Sequence, residues 1–342
     1  MYKKMLFLLV AIFTLYLFVG LSQAGVDKLA QTGMPFLKLD VGGRNAAMAG
    51  AAGSVVNDAT AMFYNIAGLS MVEGLDIMVS QTNWIADIKH YAGGVAYGLG
   101  NWGTFGLNFV FMDYGTFKET RPYEGSDPVL MDAGYEDLGD FEVGEYAIGL
   151  SYARRISSQF SIGGQVKYAK QDLHETLMYS DYLQTTVLSQ NIEDVIAFDF
   201  GTLYYTGYKD LRLSMSVRNF SRQGRFIQQR FELPLTMDIG IAMDLMPYFM
   251  GDNSGNKLTL AIDALHPRDY SERLHIGAEY ALSDLLFLRG GYKLNYDEEG
   301  LCAGVGVNKM FGNFGVKFDY AFTDFGEFFG SVHRISWHIY MK

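Results

Sequence analysis

Residues 236–245 read TMDIGIAMDL, and their period decides the fold. The odd positions are Met237, Ile239, Ile241, Met243 and Leu245; the even ones are Thr236, Asp238, Gly240, Ala242 and Asp244. One side is wholly apolar and the other polar or tiny, the signature of a β-strand with a single greasy face. Val316, Phe318, Tyr320 and Phe322 alternate likewise with Lys317, Asp319, Ala321 and Thr323, and Ile196, Phe198 and Phe200 with Ala197, Asp199 and Gly201. Extended outward, this alternation predicts about fourteen strands. They fall roughly at 74–84, 88–99, 103–114, 142–154, 159–171, 195–207, 210–219, 234–246, 257–264, 272–282, 285–295, 300–310, 314–324 and 331–341.

The links carry a second rhythm. Tight turns at 100–101, 156–158, 208–209, 283–284 and 312–313 alternate with longer polar links at 115–141, 172–194, 220–233, 265–271 and 325–330. Short periplasmic turns, long outer loops and an even strand count characterise outer-membrane barrels. The link 247–256 is long where a short one is due, and 85–87 and 296–299 are short for the outer side. A soluble β-sandwich shares the alternation, but its solvent face is rich in Lys, Glu and Thr. Here the polar face is heavy in Gly, Ala and Ser with isolated charges of both signs, which reads as a crowded, partly wet lumen. The expected fold is therefore all-β, a transmembrane antiparallel β-barrel over 74–342. The lumen charges include Asp199, Arg218, Asp238, Arg289, Lys317, Asp319 and Arg334. An Arg or Lys facing lipid at mid-membrane costs roughly 2–4 kcal/mol, so these side chains should point inward. Their mixed signs favour internal ion pairs and a narrow or plugged barrel.

The N-terminus has a secretory layout: Lys3 and Lys4, an apolar run over 5–19, then Ser22, Gln23 and Ala24 before Gly25. Residues 1–24 read as a cleaved signal peptide. A membrane anchor is the rival reading, though the run falls short of the roughly 20 residues a spanning helix needs. A net charge of −11 argues against nucleic acid, whose phosphates demand a positive face. The single Cys302 excludes an internal disulfide, no Cys/His spacing suits zinc, and no metal or cofactor is expected. Aromatics at 15% and 39 Gly against 6 Pro suit many strands with an aromatic girdle at the membrane interfaces. None of the six histidines sits in a catalytic spacing, so an enzyme is not expected. His333 and His338, five apart on the last strand, point to opposite faces.

Residues 25–73 differ from everything after them. Residues 42–53 (GGRNAAMAGAAG) are nearly all small, and 58–69 mix helix formers with Gly68 placed as a helix C-cap. This segment reads as a hatch folded into the barrel mouth; a periplasmic tail with one short helix is the other reading. The runs GGRNAAMAG (42–50) and NDATAMFYNIAGL (57–69) resemble the N-terminal signature of the PorV/PorQ family, a branch of the FadL-like barrels. Ile66 stands where that signature usually has proline. Further similarity lies at 232–238 (ELPLTMD), at His266-Pro267 through Glu279-Tyr280, at 288–292 (LRGGY) and at 333–336 (HRIS).

The resemblance implies a barrel of about fourteen strands with an internal hatch, in the outer membrane of a Gram-negative bacterium. It makes Arg44, Asn45, Asp58, Asn65 and Gly68 the candidate binding residues of the hatch motif. PorV-type members serve type IX secretion, collecting cargo that bears a C-terminal signal domain at the translocon and handing it to surface attachment. Two functions stay open. In one, the loops 115–141 and 172–194 hold a secreted partner, with Tyr123, Tyr135, Tyr179 and Tyr182 as anchors among acidic residues. In the other, the barrel carries a hydrophobic small molecule past the hatch. The charged and small inward faces lean to the first.

Overall fold

The computed structural model describes residues 31–341 apart from 124, 181–184, 227–228 and 250–254, so the signal-peptide reading lies outside the described residues. The strands are β1 (Gly74–Asn83), β2 (Lys89–Gly98), β3 (Thr104–Pro122), β4 (Tyr135–Arg155), β5 (Phe160–Ser180), β6 (Thr185–Tyr205), β7 (Arg212–Ser221), β8 (Gly224–Phe226), β9 (Gln229–Phe231), β10 (Thr236–Asp244), β11 (Asn256–Pro267), β12 (Arg273–Leu282), β13 (Leu286–Leu294), β14 (Leu301–Phe311), β15 (Phe314–Asp324) and β16 (Ser331–Met341). Each barrel strand pairs antiparallel with its sequence neighbour, β7 pairs with β10, and β1 pairs with β16 to close a fourteen-strand barrel. The hairpin β8–β9 stands outside that ring. Among the described residues no helix is long and apolar enough to cross a membrane, and the crossing is made by strands.

Period two puts each side chain on its expected face. On β10, Ile239 is 60% exposed while Asp238 is 3% exposed. His338 is buried inward, whereas His333 faces out and bonds the Tyr320 hydroxyl at 2.7 Å. Outward Phe, Leu and Ile are exposed because lipid is their solvent.

The two longest links are mostly strand. β3 has 19 residues and β4, β5 and β6 have 21 each, against the 9–11 or so that a bilayer crossing uses. Above the membrane both faces meet water, so the apolar alternation stops while the ladder continues. Bulges mark the change, between Asp113 and Thr116 on β3 and between Asp172 and Glu175 on β5. In each, the aspartate accepts the amide two residues on, from Gly115 at 3.0 Å and from His174 at 3.2 Å. Gly115 (φ 71°) and His174 (φ 66°) are left-handed there. The link 220–233 likewise holds the β8–β9 hairpin rather than a plain loop.

Residues 31–73 run through the barrel from the long-loop mouth to the short-turn mouth. At the outer end Gly33 donates to the Glu232 carbonyl at 3.0 Å and Lys38 pairs with Asp269; at the other, Ser70 bonds Ser161 at 2.8 Å. A helix at Gly43–Ala47 lies against β13 to β16, and a 3-10 turn at Ile66–Met71 against β2 to β6. The wall is cut away to admit them: a Cβ on Gly201 would stand 2.0 Å from Asn65 Oδ1, and one on Gly277 would stand 2.5 Å from the Met48 carbonyl. Gly68 is not a helix C-cap. It lies inside the 3-10 turn, where a Cβ would come within 2.4 Å of the Val56 carbonyl. The chain breaks at Asn65 (φ −144°) without help from proline, because the Asn65 side chain accepts the Ala67 amide and starts the turn itself.

Replacing Ile239 with arginine is expected to cost roughly 2–4 kcal/mol of folding free energy in a bilayer. Urea titration of barrel insertion into vesicles reads this directly, and a loss no larger than that of Ile239→Ala would contradict the lipid-facing assignment.

Candidate functional site

The hatch-motif residues meet the inward charges in one network. Arg44, on the Gly43–Ala47 helix, places Nε and Nη2 each 2.9 Å from the Glu279 carboxylate of β12. Arg289 of β13 reaches Glu279 Oε2 at 2.6 Å and Asp319 Oδ1 of β15 at 2.6 Å. Two guanidinium groups thus share two carboxylates, tying the N-terminal segment to three strands. Asp58 lies 3.7 Å from Lys317 and also receives the Thr60 amide at 3.0 Å. Nearer the outer mouth, Lys293 of β13 bonds Asp40 at 2.8 Å and pairs with Glu299.

Burial alone would raise the Asp40 carboxyl, but Lys293, Arg334 and His275 outweigh it and hold it below the ordinary carboxylate range. Asp58 is held down in the same way by His338, Lys317 and Arg44 against its own desolvation. Burial also works against the Arg44 charge, and Glu279 more than restores it.

Around the rest of the wall, Asn65 donates to the carbonyls of Gly53 at 2.9 Å and Thr202 at 3.0 Å. Arg218 gives Nη1 to the Phe63 carbonyl at 2.8 Å. Asn45 is fully buried, with Nδ2 on the Val41 carbonyl at 3.5 Å. Asp199 pairs with Lys167 at 2.8 Å and accepts the Asn219 amide at 2.6 Å. Arg334 donates to Thr323 at 2.9 Å beneath the Trp84 ring. Asp238 has no ion pair among the described residues, unlike the other lumen carboxylates named from sequence.

Of the four loop tyrosines, the side chains of Tyr123 and Tyr135 fall within the described structure. Tyr123 folds back on its own hairpin, its hydroxyl accepting the Asp127 amide at 3.0 Å, while Tyr135 is exposed at the outer start of β4, opposite Pro122. Tyr179 stands opposite Thr186 in the β5–β6 ladder, and Tyr182 lies outside the described residues. The two tall hairpins touch instead through Phe117, Phe141 and His174, with His174 stacked 4.7 Å from Phe141. Sequence reading did not single out Asp40, Lys38 or Tyr296. Arg273 is sandwiched between the Tyr270 and Tyr296 rings at 3.8 Å from each, and Lys38 sits over Tyr270. Burial pushes the Tyr296 hydroxyl up to about 12. Such pairings join residues more than 200 apart in some cases, and no local pattern announces them.

A cavity of about 1190 Å³ opens at the short-turn mouth below the segment, lined by Arg44, Asp58, Asp76, Arg289, Lys317 and Tyr340 among others. Its walls carry charges of both signs. Above, between the segment and β2 to β5, lies a small cavity of about 20 Å³, room for little more than one water.

The family model for "Type IX secretion system membrane protein PorP/SprF" matches residues 134–339, more than half of the chain. The chain belongs to the PorP/SprF family. It is thus an outer-membrane β-barrel of type IX secretion, a non-enzymatic kind of protein. No curated protein matches the sequence. Among solved structures, the CymD monoaromatic hydrocarbon channel aligns with a TM-score of 0.54 at 12% identity, covering 90% of this chain and 97% of its own. A TodX monoaromatic hydrocarbon channel deltaS2 mutant gives 0.52 at 14% identity over 87% and 97%. A Pseudomonas aeruginosa FadL homologue gives 0.49 at 11% over 88% and 97%. At these identities the first two show a shared fold and nothing about ligands.

Substituting Glu279 with glutamine leaves Arg44 and Arg289 short of one charge and is expected to lower stability by about 3–5 kcal/mol, read as a shift in the urea midpoint. Asp40 and Asp58, both depressed, contribute stability that is present above their unfolded values and lost as pH falls through the folded ones. The midpoint should therefore hold steady from neutrality to about pH 5 and fall below about pH 4. A midpoint that dropped already between pH 7 and 6 would contradict this sign.

Proposed function

We propose that this PorP/SprF-family barrel is an interaction protein. Its outer hairpins hold exported cargo bearing a C-terminal signal domain and pass it to surface attachment, while residues 25–73 act as a hatch that keeps the lumen shut. This is the finer role that the PorV/PorQ resemblance implies. The observation that supports it most is the pairing of two features: strand hairpins that continue for roughly 25 Å of strand beyond the membrane, at about 3.3 Å per residue, over a lumen that residues 31–73 thread and ion-pair to the wall. Residues 114–143 carry eight carboxylates and two basic side chains beside exposed Phe117, Tyr135 and Leu138. Exposed aromatics within a charged surround are the composition of a protein-binding patch.

The rival role is passage of a hydrophobic small molecule. Its support is the fold shared with hydrocarbon channels. Against it, the larger cavity is charged and the cavity above the segment holds only about 20 Å³, whereas such ligands need a roomy apolar pocket.

A photoreactive residue placed at Tyr135 or Leu138 is expected to crosslink secreted protein in cells exporting such cargo, and the same probe at Lys309, on the opposite mouth, is not. Tyr135→Ala should weaken capture about tenfold or more if the ring is a buried anchor worth roughly 2 kcal/mol. Crosslinking only at Lys309, or hydrocarbon uptake that depends on the chain but not on residues 116–142, would favour the rival.

A further inference from the structure

Among the described residues, the buried carboxylates without an ion pair within 4.0 Å are Glu145, Asp238 and Asp263. Glu145 is served by the Tyr114 hydroxyl at 2.7 Å and by Gln171. Asp238 and Asp263 are 3% and 0% exposed, and they stand side by side. Asp263 of β11 lies opposite Gly240 of β10, and Asp238 is two residues before Gly240, opposite Ser216 of β7. Two adjacent buried carboxylates repel each other and forgo hydration, a cost that a counter-charge offsets.

The nearest guanidinium does not supply it by contact. Arg218 directs its Nη1 to the Phe63 carbonyl at 2.8 Å and lies over the Tyr64 ring.

What surrounds the pair is oxygen. Measured from where a Cβ would sit on Gly240, Asp263 Oδ1 is at 2.4 Å, Ser214 Oγ at 2.5 Å and Ser54 Oγ at 2.8 Å. From the same point on Gly53, Ser214 Oγ is at 3.0 Å, Asp263 Oδ2 at 3.2 Å and Asp238 Oδ1 at 3.4 Å. Both carboxylates and two hydroxyls therefore converge on one small region between the N-terminal segment and the β7–β10–β11 wall. Glycines on both sides, Gly53 and Gly240, let these oxygens approach the backbone where any side chain would displace them. Part of the set is already engaged: Gly53 donates its amide to Asp263 Oδ2 at 2.7 Å, and the Ser54 and Ser214 hydroxyls bond each other at 2.8 Å. Asp238 Oδ1, Asp263 Oδ1 and Ser216 Oγ accept or donate nothing, although Ser216 is only 2% exposed and faces inward across from Asp238.

We propose that Asp238, Asp263, Ser54, Ser214 and Ser216 form a site for a hard divalent cation, calcium in the first place, that fastens the N-terminal segment to the barrel wall. An all-oxygen donor set with two carboxylates and no sulfur or imidazole selects calcium over softer metals. The ion's charge supplies what Arg218 leaves unmet, and the free hydroxyl and carboxylate lone pairs become ligands. Because Ser54 sits on the segment while the other four donors sit on β7, β10 and β11, the ion bridges the two parts. Neither the outer hairpins nor cargo enter this argument, so the site stands or falls independently of the proposed function.

The test is calorimetric titration of the full chain in detergent, stripped with chelator, using calcium chloride with magnesium chloride and sodium chloride alongside. Calcium is expected to bind at one saturable site and to raise the urea midpoint, with magnesium weaker. D263N should lower the affinity by at least about tenfold through loss of one carboxylate ligand, and S216A should weaken it less. The acidic outer hairpins are unchanged in both variants, so binding there would survive D263N and be told apart. Should D263N fail to assemble, S216A carries the comparison, its barrel checked by gel mobility before and after heating. The proposal is overturned if no saturable calcium heat is seen, or if D263N or S216A binds like the parent. It is also overturned if the midpoint responds to pH near neutrality and not to calcium, which would mark a proton shared by the two carboxyls.

Discussion

A lipid interior offers no hydrogen bonds, so every backbone amide and carbonyl that crosses it must be paired within the protein. Closing β1 onto β16 meets that demand for the whole ring at once. The closure then fixes the side chains. Each strand must turn one face to lipid and the other to the enclosed space, and the alternation at residues 236–245 is that constraint written in sequence. What the ring encloses is the remaining problem, because its inner faces carry Asp, Glu, Arg and Lys that need partners.

The N-terminal segment answers it. Its alanines and glycines let backbone lie against backbone, with Met48 seated over Gly277 and Asn65 over Gly201, so that polar groups of segment and wall come within bonding distance. Arg44 joins Glu279, Asp40 joins Lys293, and Asn65 joins Thr202. Buried pairs of this kind are costly to break and contribute little net stability when whole. Their effect is to fix one position of the segment. Between the segment and β2 to β5 the cavity that remains on that side is small, about 20 Å³.

The barrel was legible because lipid enforces a strict period, and legibility ends where lipid does. The stretches 115–141 and 172–194 look like loops since both faces meet water, yet the ladder persists through Pro122 and from Tyr135, and through Ser180 and from Thr185. Gly68 reads as a cap by position, but a contact with the Val56 carbonyl, from a residue well upstream in the segment, decides its role. Arg44 and Asp58 stand out locally by their setting among small residues, and the structure brings both to the inner charges. Asp238 was visible as an inward charge, while its lack of an ion pair among the described residues was not. That depends on Arg218 turning toward Phe63, a choice made by packing and not by spacing.

The central claim is that odd and even positions of the strands sit in two different media. Nitroxide labels placed singly at residues 236 to 243, with collision rates measured against oxygen in the bilayer and a polar nickel reagent in water, test it directly. The account predicts high oxygen access at Met237, Ile239, Ile241 and Met243, with little access to either reagent at Thr236, Asp238, Gly240 and Ala242. Equal oxygen access at neighbouring positions, or nickel access on the odd set, would contradict it.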